Sequence, residues 1–478
     1  MTDFNPEAAE DAEGKSPLRP HRFARIANWL EWNSAISYTL MARAWQVLAG
    51  PVTVVLIGLY FTLDLQGYYY LFWKLLALQV FVELQLHTVI VNVTSHEWAN
   101  LRLDETNGLT GPEEKLSRLR SFMRQLVWIY GGMMILFLLV VGAGGTWFLQ
   151  LQPTDEIDWL IPWWGVVLVN AALVWLIPLH AVLEGCEQVA VVRKMQFWQA
   201  FTGNLVLWTA IATGFDLWTI VFLSLVRLAW ELVSIFRWNG VFFRSLFQPA
   251  GEERVSWKTE VWPLQWRIAV KGLFIFFGFQ TFEMVMFAYH GPEVAGQMGM
   301  TWTVLMALRV ASSAWVQTRV PEFGVLVARR RYELLDQRFR RLSLISIALM
   351  AAGGIAFVLL VCFLSWREYA FAQRFLPLWP LVLLTLAETL SLIPTFQWIY
   401  IHAHKQSPHM ILSCLSSAGV GGLIWWLGKD YGPIGASAAY LGMNIGFSLP
   451  VWTWVWFQCR GEWHQMEEET SPSTQLAE

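Results

Sequence analysis

Charge is scarce in this chain: Asp, Glu, Lys and Arg make up 14% of 478 residues, against 56% hydrophobic. A soluble chain carries about 25% charged residues, so this composition excludes a string of ordinary soluble domains and points to a polytopic membrane protein. Cysteine is scarce too. Cys186, Cys362, Cys414 and Cys459 are scattered without metal-ligand or disulfide spacing and read as buried free thiols. Met1 to Pro20 lacks the basic-then-apolar order of a signal peptide and carries an acidic run at Glu7, Glu10, Asp11 and Glu13, so the first apolar stretch is expected to act as the insertion signal. No segment the size of a catalytic domain stands apart from the apolar stretches, and no nucleic-acid partner, cofactor or metal is expected.

What is present is a series of about twelve apolar stretches, each near the roughly 20 residues that span about 30 Å of hydrocarbon. They fall near 38–61, 68–93, 121–148, 160–183, 193–214, 218–237, 263–288, 297–319, 342–363, 376–402, 408–427 and 434–456. The tail from Glu467 reads as a short solvated end. Lys and Arg set the orientation, because they are retained in cytoplasmic loops. The even-numbered loops hold Arg102, Lys115, Arg118 and Arg120, then Arg193 and Lys194, then Arg244, Arg254 and Lys258, then Arg329, Arg330, Arg331, Arg338, Arg340 and Arg341. The odd-numbered loops hold only Arg367, Arg374 and Lys429, so both termini are expected in the cytoplasm. The odd loops are short, which argues against an extracytoplasmic enzyme.

The chain also repeats a layout. With Gly67 set over Gly296, Phe61-Thr62-Leu63-Asp64-Leu65-Gln66-Gly67-Tyr68 faces His290-Gly291-Pro292-Glu293-Val294-Ala295-Gly296-Gln297, and each pairs an acidic turn with a glycine that opens the next helix. Two halves of six spans follow, related by a pseudo-twofold axis along the membrane normal. The expected divisions are a cytoplasmic segment 1–37, a first lobe 38–237, a cytoplasmic linker 238–262, a second lobe 263–456 and a cytoplasmic tail 457–478.

Leu65-Gln66-Gly67-Tyr68-Tyr69-Tyr70, Leu183-Glu184-Gly185-Cys186-Glu187-Gln188, Ala295-Gly296-Gln297-Met298-Gly299-Met300-Thr301-Trp302 and Tyr431-Gly432-Pro433-Ile434-Gly435-Ala436 resemble polysaccharide biosynthesis membrane proteins. These form the O-antigen flippase branch of the multidrug/oligosaccharidyl-lipid/polysaccharide flippase superfamily, which also includes lipid II flippases and multidrug and toxin extrusion transporters. The resemblance implies an all-α polytopic membrane protein of about twelve transmembrane helices, in two six-helix lobes around a central cavity. It implies a bacterial inner-membrane location and a polyprenyl-pyrophosphate-linked oligosaccharide as cargo. Polysaccharide assembly enzymes would be partners beside the membrane lipids. The first half departs from the second at one charge: Val80 falls where the repeat places Arg309.

An ionisable side chain inside a span costs at least about 2.5–3.5 kcal/mol at the bilayer centre, so it faces a cavity or a partner. Lys271, Arg309, Arg227 and Glu388 are expected near mid-membrane, with Lys74 and Arg267 nearer opposite surfaces. Lys271 and Arg309 have no acid at helical spacing and are the first candidates to hold an anionic cargo. Arg267 extends a positive stripe from Lys271 along one helix face. A structural bridge from Lys271 or Arg309 to Glu388 or Glu283 is the alternative. Glu231 stands four residues after Arg227 and is expected to satisfy it locally. Glu83 and His87, at the same spacing, are candidates to pass or sense a proton, as are the acids Glu283 and Glu388; the coupling ion, H+ or Na+, is left open.

Trp302, seven residues before Arg309, is a candidate to stack on a sugar, and Gln280 to bond its hydroxyls. Trp163, Trp164, Trp425, Trp426, Trp452 and Trp456 are expected in the interfacial belts. Pro51, Pro178, Pro394 and Pro450 are expected to kink their spans. The combined expectation is a flippase or exporter that moves a lipid-linked oligosaccharide outward by alternating access. The alternatives are a multidrug exporter of the same fold exchanging cations for ions, or a non-transporting scaffold of a polysaccharide assembly complex. A major facilitator transporter is disfavoured, because Ala99 to Gly108 lacks that family's glycine and paired basic residues.

Overall fold

The computed structural model describes residues 34–104, 108–152, 156–404 and 410–469. Among the described residues the regular structure is helical apart from one two-stranded ribbon. It opens with α1 (Ser34–Tyr60), then α2 (Leu63–Glu83) and α3 (Leu86–Trp98), bent by 47° where they meet. The ribbon pairs β1 (Arg102–Asp104) with β2 (Gly108–Thr110), antiparallel, with Leu103 opposite Leu109. Next come α4 (Glu113–Leu149), α5 (Leu160–Gly185), α6 (Val189–Ala212), α7 (Trp218–Trp238) and α8 (Gly240–Leu246). The second half holds α9 (Trp262–Gln317), α10 (Val320–Ala328), α11 (Tyr332–Trp366), α12 (Leu378–Ala403), α13 (Met410–Met443) and α14 (Leu449–Glu469).

Two of these helices are each a pair. Gly291 has φ 89° and ψ 173°, and Gly432 has φ 61° and ψ −145°, backbone conformations open essentially to glycine alone. A proline follows each glycine and starts the next limb, where its missing N–H is no loss. α9 is therefore two limbs, 262–290 and 292–317, and α13 turns at Gly432 in the same way. His290 seats one turn on the other, its Nε2 lying 2.8 Å from Gly428 O. The opening of α2 has no Gly-Pro pair. Thr62 caps it instead, its hydroxyl accepting from the Leu65 N–H at 3.2 Å.

Among the described residues, seven helical stretches are long and apolar enough to cross a membrane, and the bent α2–α3 pair makes an eighth. α6 and the limbs of α9 match the others in length but carry more polar and charged side chains. The chain is an all-α polytopic membrane protein, and its helices form two lobes that repeat one packing pattern. In the first, α1 packs on α6, α3 and α4 pack on α5, and α5 packs on α7. In the second, α9 packs on α13, α9 and α11 pack on α12, and α12 packs on α14. Large side chains such as Leu344, Ile355, Leu359 and Phe363 of α11 point away from both lobes, as a lipid-facing surface requires.

The lobes meet where the sequence repeat aligns them. A Cβ on Gly67 would fall 1.9 Å from Pro292 O, and one on Gly296 would fall 2.8 Å from Gly67 N. Residues related by a twofold axis touch each other only beside that axis. This end of the bundle, the glycine end, is further tied by Gln66 Nε2, which donates to Gly296 O at 2.8 Å and to Arg374 O at 3.1 Å. Arg374 donates back to Phe61 O, and its burial lowers the guanidinium's pKa.

At the opposite, basic end the ribbon, the start of α4 and the 239–261 connection lock together. Arg118 bonds Glu97 and Glu260, at 2.9 and 2.5 Å, and the Ser245 hydroxyl accepts from Leu109 N–H. The Ser256 N–H, with Arg118 beside it, holds the Glu260 carboxyl below the usual range.

Helix α1 runs on through Pro51, α5 through Pro178 and α12 through Pro394, and Pro450 follows just after the π-turn Asn444–Ser448. A sharp bend that no proline marks falls at Leu84 and Gln85, both left-handed with φ 53° and 59°. Such a conformation costs about 1–2 kcal/mol per non-glycine residue, and Gln265 supports it by donating to Leu84 O at 2.6 Å. Trp163 is no belt residue: it is fully buried and donates to Gly142 O at 3.2 Å. The final helix continues to Glu469, beyond the expected end at Trp456. Cys186 and Cys459 are buried free thiols as read, whereas Cys362 and Cys414 are half-buried.

Candidate functional site

Lys74, on α2, extends across the lobe boundary to Glu283 on the first limb of α9, with Nζ 3.1 Å from Oε1. Glu283 is 1% exposed, and neither of its carboxylate oxygens has a hydrogen-bond partner of good geometry. The pair is thus a charge contact without hydrogen-bond geometry, two helical turns along α2 from Gly67. Leu78 and Phe81 follow Lys74 at helical spacing and line a cavity of about 770 Å³ between the lobes. Its other walls are Trp147, Phe148 and Leu151 of the α4 end, Met284 and Val285 of α9, and Trp425 of α13. A half-buried cation therefore stands one helical turn before the residues that line this apolar cavity.

A second, polar cavity of about 260 Å³ lies within the second lobe. Arg309 is at its wall, donating to Glu388 at 2.7 Å, to Ser391 at 2.5 Å and to Thr395 at 2.8 Å. Glu388 is fully buried, and its other oxygen accepts from Tyr440 OH at 2.7 Å. Ser413, Ser416, Ser417, Asn444 and Trp452 complete the lining. The bridge alternative is therefore the arrangement found for Arg309. Its guanidinium keeps 19% exposure toward this chamber.

The remaining sequence candidates are dispersed. Glu83 and His87 flank the α2–α3 break and stay in contact across it, the Glu83 carboxylate accepting from the His87 backbone N–H; Glu83 also accepts from Tyr130 OH at 3.4 Å, and His87 lies 3.7 Å from Glu184. Glu231 does not satisfy Arg227. It turns inward to His180, 2.6 Å away, and leaves Arg227 exposed. Trp302 is buried against Phe282 and Tyr440 with centroids at 4.9 and 6.1 Å, so it has no free face for a sugar. Arg267, Lys271 and Gln280 lie on α9, but their side chains are outside the described residues. Among the described residues no three His, Cys, Asp or Glu side chains converge as a metal site.

Sequence reasoning missed two features here. The Lys74–Glu283 contact joins residues 209 positions apart, so no local spacing reveals it. The ribbon at 102–110 was read as plain loop, although Asn107-Gly108 is a turn signal.

The two glycine-stacked helical lobes have the fold of several solved membrane proteins. It is similar to the lipid II flippase MurJ in an inward closed conformation, with TM-score 0.63 and 15% identity over 88% of this chain and 87% of that one. It is also similar to the MATE multidrug transporter DinF-BH, with TM-score 0.56 and 12% identity over 89% and 95%. An outward-facing multidrug resistance MATE family transporter of the MOP superfamily gives TM-score 0.51 and 11% identity over 90% and 96%. At these identities the likeness is one of fold. No family model matches the chain, and no curated protein matches it.

Proposed function

We propose that the protein is a flippase that carries a polyprenyl-pyrophosphate-linked oligosaccharide from the cytoplasmic to the outer leaflet by alternating access. One observation carries this reading: a half-buried lysine that bridges the lobes stands one turn before Leu78, which with Phe81 lines a 770 Å³ apolar cavity, a pairing that suits an anionic head on a hydrocarbon chain. The fold held in common with a lipid II flippase supports it. Twelve spans follow if α9 and α13–α14 each cross twice, with the basic end and both termini in the cytoplasm. The lobes are then 38–237 and 263–456, joined by the cytoplasmic linker 238–262.

No covalent chemistry is needed. Stripping water from sugar hydroxyls in hydrocarbon costs several kcal/mol each, about 4–8 for a group left without any partner, so the protein must supply a wet or hydrogen-bonded route. The serine-lined cavity beside Arg309 offers such groups. In the mechanism, cargo pyrophosphate competes with Glu283 for Lys74, the cross-lobe contact loosens, and the lobes part at the glycine end. Lys271 and Arg267 belong to the same helix limb and are assigned to the cargo route, while Glu283 and Glu388 are the acids that exchange an ion for it.

The test is flipping of a fluorescent polyprenyl-pyrophosphate oligosaccharide in proteoliposomes, scored with an impermeant quencher, for wild type, Lys74→Ala and Lys271→Ala. Wild-type flipping with at least a tenfold loss in Lys74→Ala is expected. Absence of wild-type flipping, together with efflux of a cationic dye that depends on Glu283, overturns the reading in favour of a multidrug exporter, which the aromatic walls of the large cavity would also suit.

A further inference from the structure

We infer that His180 and Glu231 form a proton-binding site buried in the first lobe, reached from the basic end through Glu184 and His87. The transport reading is needed only to give this proton a use. His180 on α5 and Glu231 on α7 are both 8% exposed, and His180 Nδ1 lies 2.6 Å from Glu231 Oε2, a charge contact without hydrogen-bond geometry. The opposite ring nitrogen, Nε2, faces Ser234 Oγ at 3.4 Å. An imidazole held this way has two states. Protonated, it gives a His+/Glu− pair of no net charge. Deprotonated, it leaves one uncompensated carboxylate in an apolar lobe, a state that solvent or a partner must support.

The route assigned to the proton runs along α5. Glu184 lies one turn beyond His180, about 6 Å further along the helix axis. Its carboxylate contacts His87 at 3.7 Å and Arg193 at 3.3 Å, and the His87 side chain is 41% exposed. The other charged or titratable groups on the elements packed around the pair are engaged or turned away. Gln199 of α6 lies 3.5 Å from Glu231, and Lys194 of α6 lies over the Trp238 ring at 5.4 Å. On α7, Arg227 is exposed and Arg237 belongs to the last turn. Tyr130 of α4 and Glu83 of α2 are bonded to each other. Direct cationic neutralisation of Glu231 therefore falls to His180.

The pair also has a mechanical connection. Ser234 opens a π-turn, Ser234–Trp238, and Asn239 holds it by donating to Ser234 O at 2.9 Å. Asn239 leads into α8, whose Ser245 binds the ribbon and Arg120 at the start of the connection between the lobes. Loss of the proton changes what His180 Nε2 can offer Ser234, and the change reaches the segment that links the lobes.

The experiment uses the full-length protein in lipid nanodiscs. Infrared difference spectra are recorded across pH 5–9 for wild type, His180→Asn, Glu231→Gln and His87→Asn, together with amide hydrogen exchange of the 239–261 connection. A coupled imidazole and carboxylate titration is expected in wild type and in His87→Asn, with slower proton exchange in the latter. It should be lost in both His180→Asn and Glu231→Gln, along with the pH dependence of exchange in the connection. Spectra that titrate identically in all four proteins overturn the proposal, and so does exchange in the connection that is independent of pH in wild type. Wild type that titrates but flips no glycolipid overturns the transport reading and leaves the proton site standing.

Discussion

At the scale of single residues, the cross-lobe pair Lys74–Glu283 makes the sharpest claim. A buried charge left alone is far costlier than a buried pair, so removing one partner typically destabilises by about 3–5 kcal/mol, whereas replacing both with apolar groups is often near neutral. Lys74→Met and Glu283→Gln should each lower the thermal unfolding midpoint, and Lys74→Met/Glu283→Met should recover most of the loss. The recovered double variant should still fail to flip cargo, because its stability is restored without its cation. A double variant that flips at the wild-type rate would falsify the role given to Lys74. Arg309 is the contrasting case. Three donors fix it to Glu388, Ser391 and Thr395, so its loss should read mainly as destabilisation of the second lobe.

At the scale of elements, the glycine end sets how closely the lobes approach. Gly67→Ala places a methyl carbon against the backbone of Pro292, where nothing flexible can yield. Overpacking of this kind costs about 1–3 kcal/mol in a well-packed core. Here the strain is relieved if the lobes separate, so Gly67→Ala and Gly296→Ala should shift the population toward outward opening. Spin labels at Asp158 of the first lobe and Tyr431 of the second, or labelling of the glycine end by an impermeant reagent, would report it, and unchanged separation and accessibility in both variants would exclude the glycine contact as a determinant of closure.

The helices were legible because hydrophobic length and loop charge act locally. The Gly67–Gly296 alignment was legible too, since a sequence repeat survives in a symmetric fold. The break at Leu84–Gln85 was not: no proline marks it, and it rests on Gln265, 181 positions from Leu84, and on close packing of Gly272 against Gln85. Charge pairing was legible in part. Spacing proposed Arg227–Glu231, but α5 supplied His180 as the partner of Glu231, whereas Glu83 and His87 do stay in contact across the break, with Tyr130 and Glu184 added from neighbouring helices.

At the scale of the whole molecule, the charge of the cargo decides what can drive it. Each elementary charge moved across the membrane is worth about 2.3 kcal/mol per 100 mV, so a pyrophosphate of two negative charges gains about 4.6 kcal/mol by leaving a negative interior. With a tenfold change for about every 1.4 kcal/mol, that corresponds to a roughly 10³-fold shift in the leaflet ratio. Lys74 does not cancel this gain, because it stays with the protein while the cargo crosses. In proteoliposomes with a potassium diffusion potential of about 100 mV, negative on the loading side, the glycolipid should therefore accumulate on the far leaflet and redistribute when the potential is collapsed. A proton moved inward through His180 and Glu231 would add a second drive, seen when a pH gradient is imposed at zero potential and lost in Glu231→Gln. A leaflet ratio that ignores the potential but follows the pH gradient would mean that the cargo crosses without net charge, with its phosphates neutralised by the protons that it carries.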